Sequence, residues 1–169
     1  MDLNKLSTAD KVIGVAGIVF LISLFFPWWG IDLGSGFGTA SNSGFDYLLT
    51  GLLPLLLVVV MIGQIVLDKL TNTQLPEIPL KWGQVHLIAG VAVAVLVVLR
   101  LIVPSSEGSG AFEIDLDRMW GMYVAAIAAV GVGVGGFLKS REPESVYDAG
   151  PTAYPGTQPP PPPPGGASF

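Results

Sequence analysis

Two residues of opposite charge stand where the hydropathy pattern places the outer edge of a membrane-embedded region. Arg100 interrupts an apolar segment three positions before its end, and Asp46 directly precedes another apolar segment. A charge at that depth is costly unless it pairs or reaches toward water. We therefore expect Arg100 to pair with Asp46 or with an acidic residue of the adjoining loop, which holds Glu113, Asp115 and Asp117.

This expected ion pair has a structural and a functional interpretation. In the structural one, it pins together the outer ends of two helices. In the functional one, Arg100 belongs to an outward-facing site for an anion or another substrate. Replacing Arg100 and Asp46 singly and together tests the pairing, because additive effects on stability would exclude it.

Other side chains with catalytic or ligand chemistry are few. The chain has no cysteine and one histidine, His86, which excludes disulfides and makes a metal site built from histidine or cysteine implausible. His86, Gln84 and Gln64 fall near the inner ends of apolar segments, and we interpret them as polar contacts, because a proton relay needs ionisable groups in series across the membrane. We expect no catalytic site, cofactor or metal, and no enzymatic activity.

The composition favours lipid as the surrounding solvent. Hydrophobic residues make up 51% of the 169 residues and charged residues 12%, whereas soluble domains carry about 25% charged residues. The net charge of −5 argues against a nucleic-acid partner.

Four apolar segments have the length of about 20 residues that a spanning helix needs. They cover residues 12–29, 47–67, 83–103 and 119–138. We interpret the first as a retained anchor rather than a signal peptide, with a capping box of Ser7 and Asp10 before it. Pro54 is expected to kink the second helix. The sequence thus predicts an all-α integral membrane protein, with a four-transmembrane-helix bundle in residues 1–140.

Basic residues predict the orientation of the bundle. Positive charge accumulates in cytoplasmic segments, and one set of connections holds six basic residues: Lys5, Lys11, Lys69, Lys81, Lys139 and Arg141. The other set holds Arg118, with Arg100 at its edge. Both termini should therefore be cytoplasmic. The outer loops, residues 30–44 and 104–118, are expected to be a flexible glycine-rich connection and a short acidic one, too small to fold into a sizeable domain.

Tryptophans and small residues complete the expected bundle. Trp28, Trp29 and Trp120 fall at the outer membrane interface and Trp82 at the inner one, where indole rings act as anchors. Small residues recur every four positions in the fourth span as the stripe Gly121, Ala125, Ala129 and Gly133. Such a stripe allows close helix packing, either within the bundle or in a homo-oligomer.

The C-terminal segment, residues 141–169, has the composition of a disordered cytoplasmic tail. It contains a run of six prolines: Pro159, Pro160, Pro161, Pro162, Pro163 and Pro164. Such a run forms a polyproline II rod that either docks on an aromatic-lined groove of a cytoplasmic protein or serves as a passive spacer.

The order of several motifs resembles a group of small, uncharacterised four-span membrane proteins from actinobacteria. The motifs are FFPWWG from Phe25, FDYLLTGLLPLLL from Phe45, VLRLIVPS from Val98 and the glycine- and alanine-rich segment from Met119. The resemblance covers roughly residues 6–142 and carries no assigned activity. It implies a bacterial plasma membrane, and it favours treating Asp46 and Arg100 as a pair.

These observations favour a non-enzymatic membrane scaffold or interaction protein. The alternative is a subunit of a small-solute or ion transport system with a site near Arg100. A transporter should carry polar groups in the middle of its bundle, and the four segments nearly lack them.

Overall fold

The computed structural model describes residues 6–71, 80–108 and 113–142. Within these ranges the chain forms four α-helices and four β-strands. The helices are α1 (Thr8–Ser23), α2 (Leu53–Leu70), α3 (Trp82–Ile102) and α4 (Trp120–Ser140), and the strands are β1 (Pro27–Asp32), β2 (Thr39–Ser43), β3 (Ser105–Glu107) and β4 (Ile114–Arg118). The proline run, and the predicted tail from residue 143 onward, lie outside the described residues.

Three helical segments are long and apolar enough to cross a membrane, namely Leu48–Lys69, Trp82–Ile102 and Trp120–Ser140. They agree with the second, third and fourth predicted spans within two residues at either end. The described chain is thus mostly helical and is compatible with a membrane location.

The first predicted span is not a single helix, so a four-span bundle is not confirmed. α1 has 16 residues and ends at Ser23, a tight turn follows, and β1 begins at Pro27. Proline lacks a backbone N–H and biases the residue before it, Phe26, toward extended backbone. The start of α1 does follow the prediction, since the Ser7 hydroxyl accepts from the backbone N–H of Asp10 at 3.1 Å and the Asp10 carboxylate accepts from that of Ser7 at 3.0 Å.

The all-α prediction is wrong, because the two loops expected to be simple connections form a four-stranded antiparallel sheet. The strand order is β2-β1-β4-β3. Hairpins β1–β2 and β3–β4 each come from one loop, and the pairs Trp29↔Arg118 and Gly30↔Asp117 join them. The sheet lies where α1 and α3 end and α2 and α4 begin. We call this end of the bundle the sheet end and the opposite one the far end.

The helices pack as antiparallel neighbours, with α4 against both α1 and α3. A Cβ added at Gly90 would lie 3.0 Å from the carbonyl oxygen of Val132, and one at Gly135 would lie 3.0 Å from the backbone nitrogen of Ile13. Only glycine permits backbones to approach this closely. The predicted stripe is buried at Gly121, Ala125 and Ala129 and partly buried at Gly133, all within the same chain.

A π-helical turn, Leu48–Leu52, precedes α2. Pro54 therefore occupies the first turn of a regular helix rather than its middle. The irregular backbone expected at Pro54 lies just before it.

Candidate functional site

Arg100 lies in the last turn of α3, at the sheet end, and is half-buried against aromatic rings. Its guanidinium carbon is 4.2 Å from the centre of the Tyr47 ring and 4.7 Å from that of Trp29. Its Nη2 donates a hydrogen bond of 2.7 Å to the Ser105 hydroxyl. A cation over a ring face is stabilised by the negative face of the π-system, so aromatic rings take the place of the expected carboxylate.

The predicted ion pair between Arg100 and Asp46 is not formed. Asp46 is exposed, and its carboxylate accepts from the backbone N–H of Ser43 at 2.6 Å and from its hydroxyl at 3.0 Å. These bonds close the 3-10 turn that precedes α2 and use the carboxylate locally. Within residues 6–71, 80–108 and 113–142, no carboxylate oxygen lies within 4.0 Å of Arg100, so the acidic loop supplies no partner either.

Arg118 of β4 lies next to the same Trp29 ring. Its guanidinium carbon is 5.2 Å from the centre of the Trp29 ring. Its Nε and Nη2 donate to the carbonyl oxygens of Leu101 and Ile102 at 2.7 and 3.0 Å. The last carbonyls of a helix have no partner within it and carry partial negative charge. Arg118 therefore satisfies the end of α3 and fastens the sheet to the bundle.

Two of the four expected interface anchors are instead core residues. Trp28 and Trp29 are 0% and 1% exposed, so their rings contact protein rather than lipid headgroups. Trp28 donates from Nε1 to the carbonyl oxygen of Ser23 at 2.9 Å and stacks on Tyr47. A membrane anchor must be accessible to lipid. That condition is met by Trp120, which is 53% exposed, and in part by half-buried Trp82.

Two buried polar atoms next to Arg100 have no hydrogen-bond partner in the described chain, the indole Nε1 of Trp29 and the hydroxyl of Tyr47. Buried polar groups are nearly always paired, because leaving one unpaired costs about 1–3 kcal/mol. We call Arg100, Arg118, Trp29, Tyr47 and Ser105 the arginine–aromatic cluster. It has hydrogen-bonding capacity that the described chain does not use.

A shallow groove of about 200 Å³ lies on the face of the sheet that carries Trp29. Residues directly opposite each other in a sheet share a face, which places Arg118, Asn42 and Glu107 on this side as well. The Asn42 amide donates to the Glu107 carboxylate and so connects the two edge strands. The sheet must curl to allow this contact, and the curl makes the groove, whose apolar walls include Ile31, Leu33, Ala40, Ile114 and Leu116.

A buried ion pair closes the far end of the bundle. The Lys139 ammonium of α4 lies 2.7 Å from the Asp10 carboxylate of α1 and 2.9 Å from that of Glu142. Burial would raise the pKa of Asp10, but the Lys139 ammonium and the Ser7 hydrogen bonds outweigh it and lower that pKa below its ordinary value. Sequence reasoning identified Asp10 only as a capping residue, since nothing local predicts which basic residue faces it.

His86 and Gln64 are buried near the far end, whereas Gln84 is exposed. The Nδ1 of His86 lies 3.0 Å from the carbonyl oxygen of Trp82, while Gln64 Oε1 has no partner among the described residues. Fourteen residues of helix separate His86 from Arg100, or about 21 Å. Buried apolar side chains fill the level between them, including Phe20, Val58, Val93 and Val97.

Comparison of the chain with family models, with curated proteins and with solved structures gives no match. The likeness to small actinobacterial membrane proteins therefore stays a prediction from the motifs. Functional reasoning rests on the arginine–aromatic cluster, the sheet and the packed bundle.

Proposed function

We propose that this protein is a non-enzymatic interaction protein of a bacterial plasma membrane. Four helices embed it, both termini face the cytoplasm, and the sheet projects from the outer surface to engage another envelope protein. The proposal rests on the sheet. Two loops that could have been short connections form a folded surface that is fixed to the bundle.

Exposed apolar side chains on all four helices support membrane embedding. Ile18 of α1, Leu56 of α2, Ile88 of α3 and Ile127 of α4 are each between 56% and 75% exposed. Soluble monomers rarely expose continuous apolar patches of this extent. α1 shares this character, with Val15, Ile18, Val19, Leu21 and Ile22 all exposed. At about 1.5 Å per residue, its 16 residues measure about 24 Å, which a locally thinned bilayer accommodates.

The distribution of basic residues supports an outward-facing sheet. In the described ranges the far end carries Lys11, Lys69, Lys81, Lys139 and Arg141, whereas the sheet end carries Arg100 and Arg118. Basic residues concentrate on the cytoplasmic side. A cysteine introduced at Ser41 should therefore react with an impermeant thiol reagent on intact cells, and one at Thr71 should not. The native chain lacks cysteine, so no other position of the protein reacts with the reagent.

The packed interior argues against the transport alternative. Transport through one chain needs polar groups or a cavity at the bilayer midplane. The described core at that level consists of apolar and small residues, among them Phe20, Val93 and Ala129, each 0% exposed. The arginine–aromatic cluster thus has no polar route to His86.

The outer edge of β2 is the element best suited to bind a partner. Its sequence, Thr-Ala-Ser-Asn-Ser, contains no charge and no proline, the devices that usually protect edge strands from pairing. The adjoining hairpin tip exposes Phe37 at 82% and Leu33 at 51%. Glycines 34, 36 and 38 adopt positive φ there, which fixes the direction of the tip. An extended segment of a partner would add to β2 and contact Phe37.

Site-specific photocrosslinking in living cells tests this proposal. A photoreactive residue at Phe37 or Ser41 should give one discrete protein adduct. The matched control is Ile127, which is 75% exposed on α4 and should face lipid. Protein adducts from Ile127 and none from the two sheet positions would contradict the proposal.

Docking of a cytoplasmic protein on the proline run is a separate proposal. Deleting residues 143–169 and comparing the proteins that co-purify tests it, and an unchanged set would exclude tail docking.

A further inference from the structure

We propose that the arginine–aromatic cluster binds the phosphate group of an anionic phospholipid in the leaflet next to the sheet. This site goes beyond the proposed interaction role. It depends on the proposed membrane placement but does not depend on a protein partner of the sheet.

Arg100 has hydrogen-bond donors that the described chain does not use. A guanidinium carries five N–H donors around the edge of a plane. Its guanidinium carbon lies over the rings of Trp29 and Tyr47, and the described chain takes one hydrogen bond from it, through Ser105. The donors that the described chain does not use can bind two oxygens of a phosphate side by side, the geometry in which arginine binds this group most strongly.

The position of Arg100 along α3 also favours a lipid. Arg100 lies two residues before the end of α3 and is half-buried, so its side chain reaches the boundary between the apolar span and the sheet. On the side of α3 nearest to Arg100, Leu99 is 51% exposed and Val103 is 54% exposed. Leu48, which follows Tyr47 at the start of the second span, is 70% exposed. A phospholipid there would place its phosphate at the guanidinium and its acyl chains along these side chains.

The charge of the sheet end favours a lipid over a free anion. Six exposed carboxylates stand at the sheet end within the described residues, against the guanidiniums of Arg100 and Arg118; they are Asp32, Asp46, Glu107, Glu113, Asp115 and Asp117. An anion that approaches through water meets this negative rim within about a Debye length of 8 Å. A lipid phosphate instead reaches Arg100 by lateral diffusion in the membrane, below these carboxylates.

Two polar atoms without a hydrogen-bond partner among the described residues also lie in this cluster. The Trp29 Nε1 and the Tyr47 hydroxyl belong to the same rings that contact Arg100. The indole N–H only donates and the phenol hydroxyl can donate or accept, so both can bind an anion.

The test is lipid-dependent thermal stability of the full chain in a non-ionic detergent. Phosphatidylglycerol should raise the melting temperature of the native protein, whereas diacylglycerol with the same acyl chains and inorganic phosphate at equal concentration should not. Arg100→Gln should lower the apparent affinity for phosphatidylglycerol at least about tenfold, the worth of one charge-assisted hydrogen bond. Arg141→Gln is the matched control, since Arg141 lies over the Phe137 ring at the far end, and it should keep the full shift.

An equal shift with inorganic phosphate would overturn the lipid as the source of the phosphate, and an unchanged shift in Arg100→Gln would overturn the site. If that variant does not fold, photoreactive phosphatidylglycerol on the native protein decides the question. Labelling near residues 99–105 supports the site, and labelling confined to the far end overturns it. A protein that stays soluble without detergent would instead contradict the membrane placement.

Discussion

At the scale of single residues, the sequence singled out Arg100 but assigned it a partner that it does not contact. The cost of a charge at the end of an apolar helix predicts that Arg100 needs compensation. The compensation comes from the aromatic rings of Trp29 and Tyr47, which are distant from Arg100 in sequence. The sequence predicted Trp29 only as a membrane anchor. Asp46 offered the simpler pairing by charge, but its bonds to Ser43 serve the turn before α2.

A double-mutant cycle separates the two partners of Arg100. Arg100→Gln and Tyr47→Leu should be non-additive, with a coupling of about 0.5–2 kcal/mol in the free energy of unfolding, because the pair shares a cation–π contact. Arg100→Gln and Asp46→Asn should be additive. Denaturation of each variant in detergent, followed by tryptophan fluorescence, supplies these values. Coupling with Asp46 and none with Tyr47 would restore the ion pair predicted from sequence.

The buried carboxyl of Asp10 makes a prediction about pH. Its pKa is lower in the folded protein than the ordinary 3.8, so its stabilising contribution is complete above that value and disappears as the pH falls through the folded pKa. The native protein should lose stability over that acidic interval. Asp10→Asn should lack this component.

The same substitution should also lower stability at neutral pH. The loss should be less than the roughly 3–5 kcal/mol of a broken buried pair, because Glu142 still neutralises Lys139. Melting temperatures of the native protein and the variant across pH test both points, and identical acid profiles would contradict the assignment.

At the scale of elements, hydrophobic blocks predicted α2, α3 and α4 but overran the end of α1. The run from Leu24 to Trp29 is as apolar as a helix interior, so a count of apolar residues continues through it. Pro27 marked the change to extended backbone. The alternation of Ile114, Asp115, Leu116 and Asp117 was likewise a readable strand signal.

The pairing of β1 with β4 was not readable from the sequence. Trp29 and Arg118 stand 89 positions apart, and the second and third helices intervene. Each hairpin has local signals, but the contact between hairpins depends on how the helices place both loops at one end. The arginine–aromatic cluster could not be predicted for the same reason, because Trp29 and Arg118 meet only through the pairing of β1 with β4.

The seam between α3 and α4 predicts an asymmetry between two glycines. A Cβ at Gly136 would lie too close to the carbonyl oxygen of His86, whereas one at Gly14 of α1 has nothing within 4 Å. Gly136→Ala should therefore cost about 1–3 kcal/mol through overpacking. Gly14→Ala should be neutral or stabilising by up to about 1 kcal/mol, because alanine favours helix. Thermal unfolding in detergent measures both, and equal effects would contradict the close α3–α4 approach.

At the scale of the whole molecule, the two ends of the described chain differ in charge. The far end is basic and closed by the ion pair of Asp10 and Lys139. The sheet end is acidic at its rim and holds the arginine–aromatic cluster beneath two joined hairpins. Within the described residues, an apolar layer that includes Phe20, Val93 and Val97 separates the two ends.

Both loops build one curled sheet, which we propose lies outside the membrane. Cysteines at Asn42 and Glu107 test it most directly, because these side chains are in contact across the two edge strands. The matched control pair is Ser41 with Glu107, since neighbouring residues of a strand point to opposite faces.

On intact cells, a short impermeant cross-linker should join positions 42 and 107 within one chain, seen as a single linker in the intact mass, and should join 41 and 107 far more slowly. Equal rates for the two pairs would contradict the sheet. Reaction of either pair only after permeabilisation would contradict its placement outside the membrane.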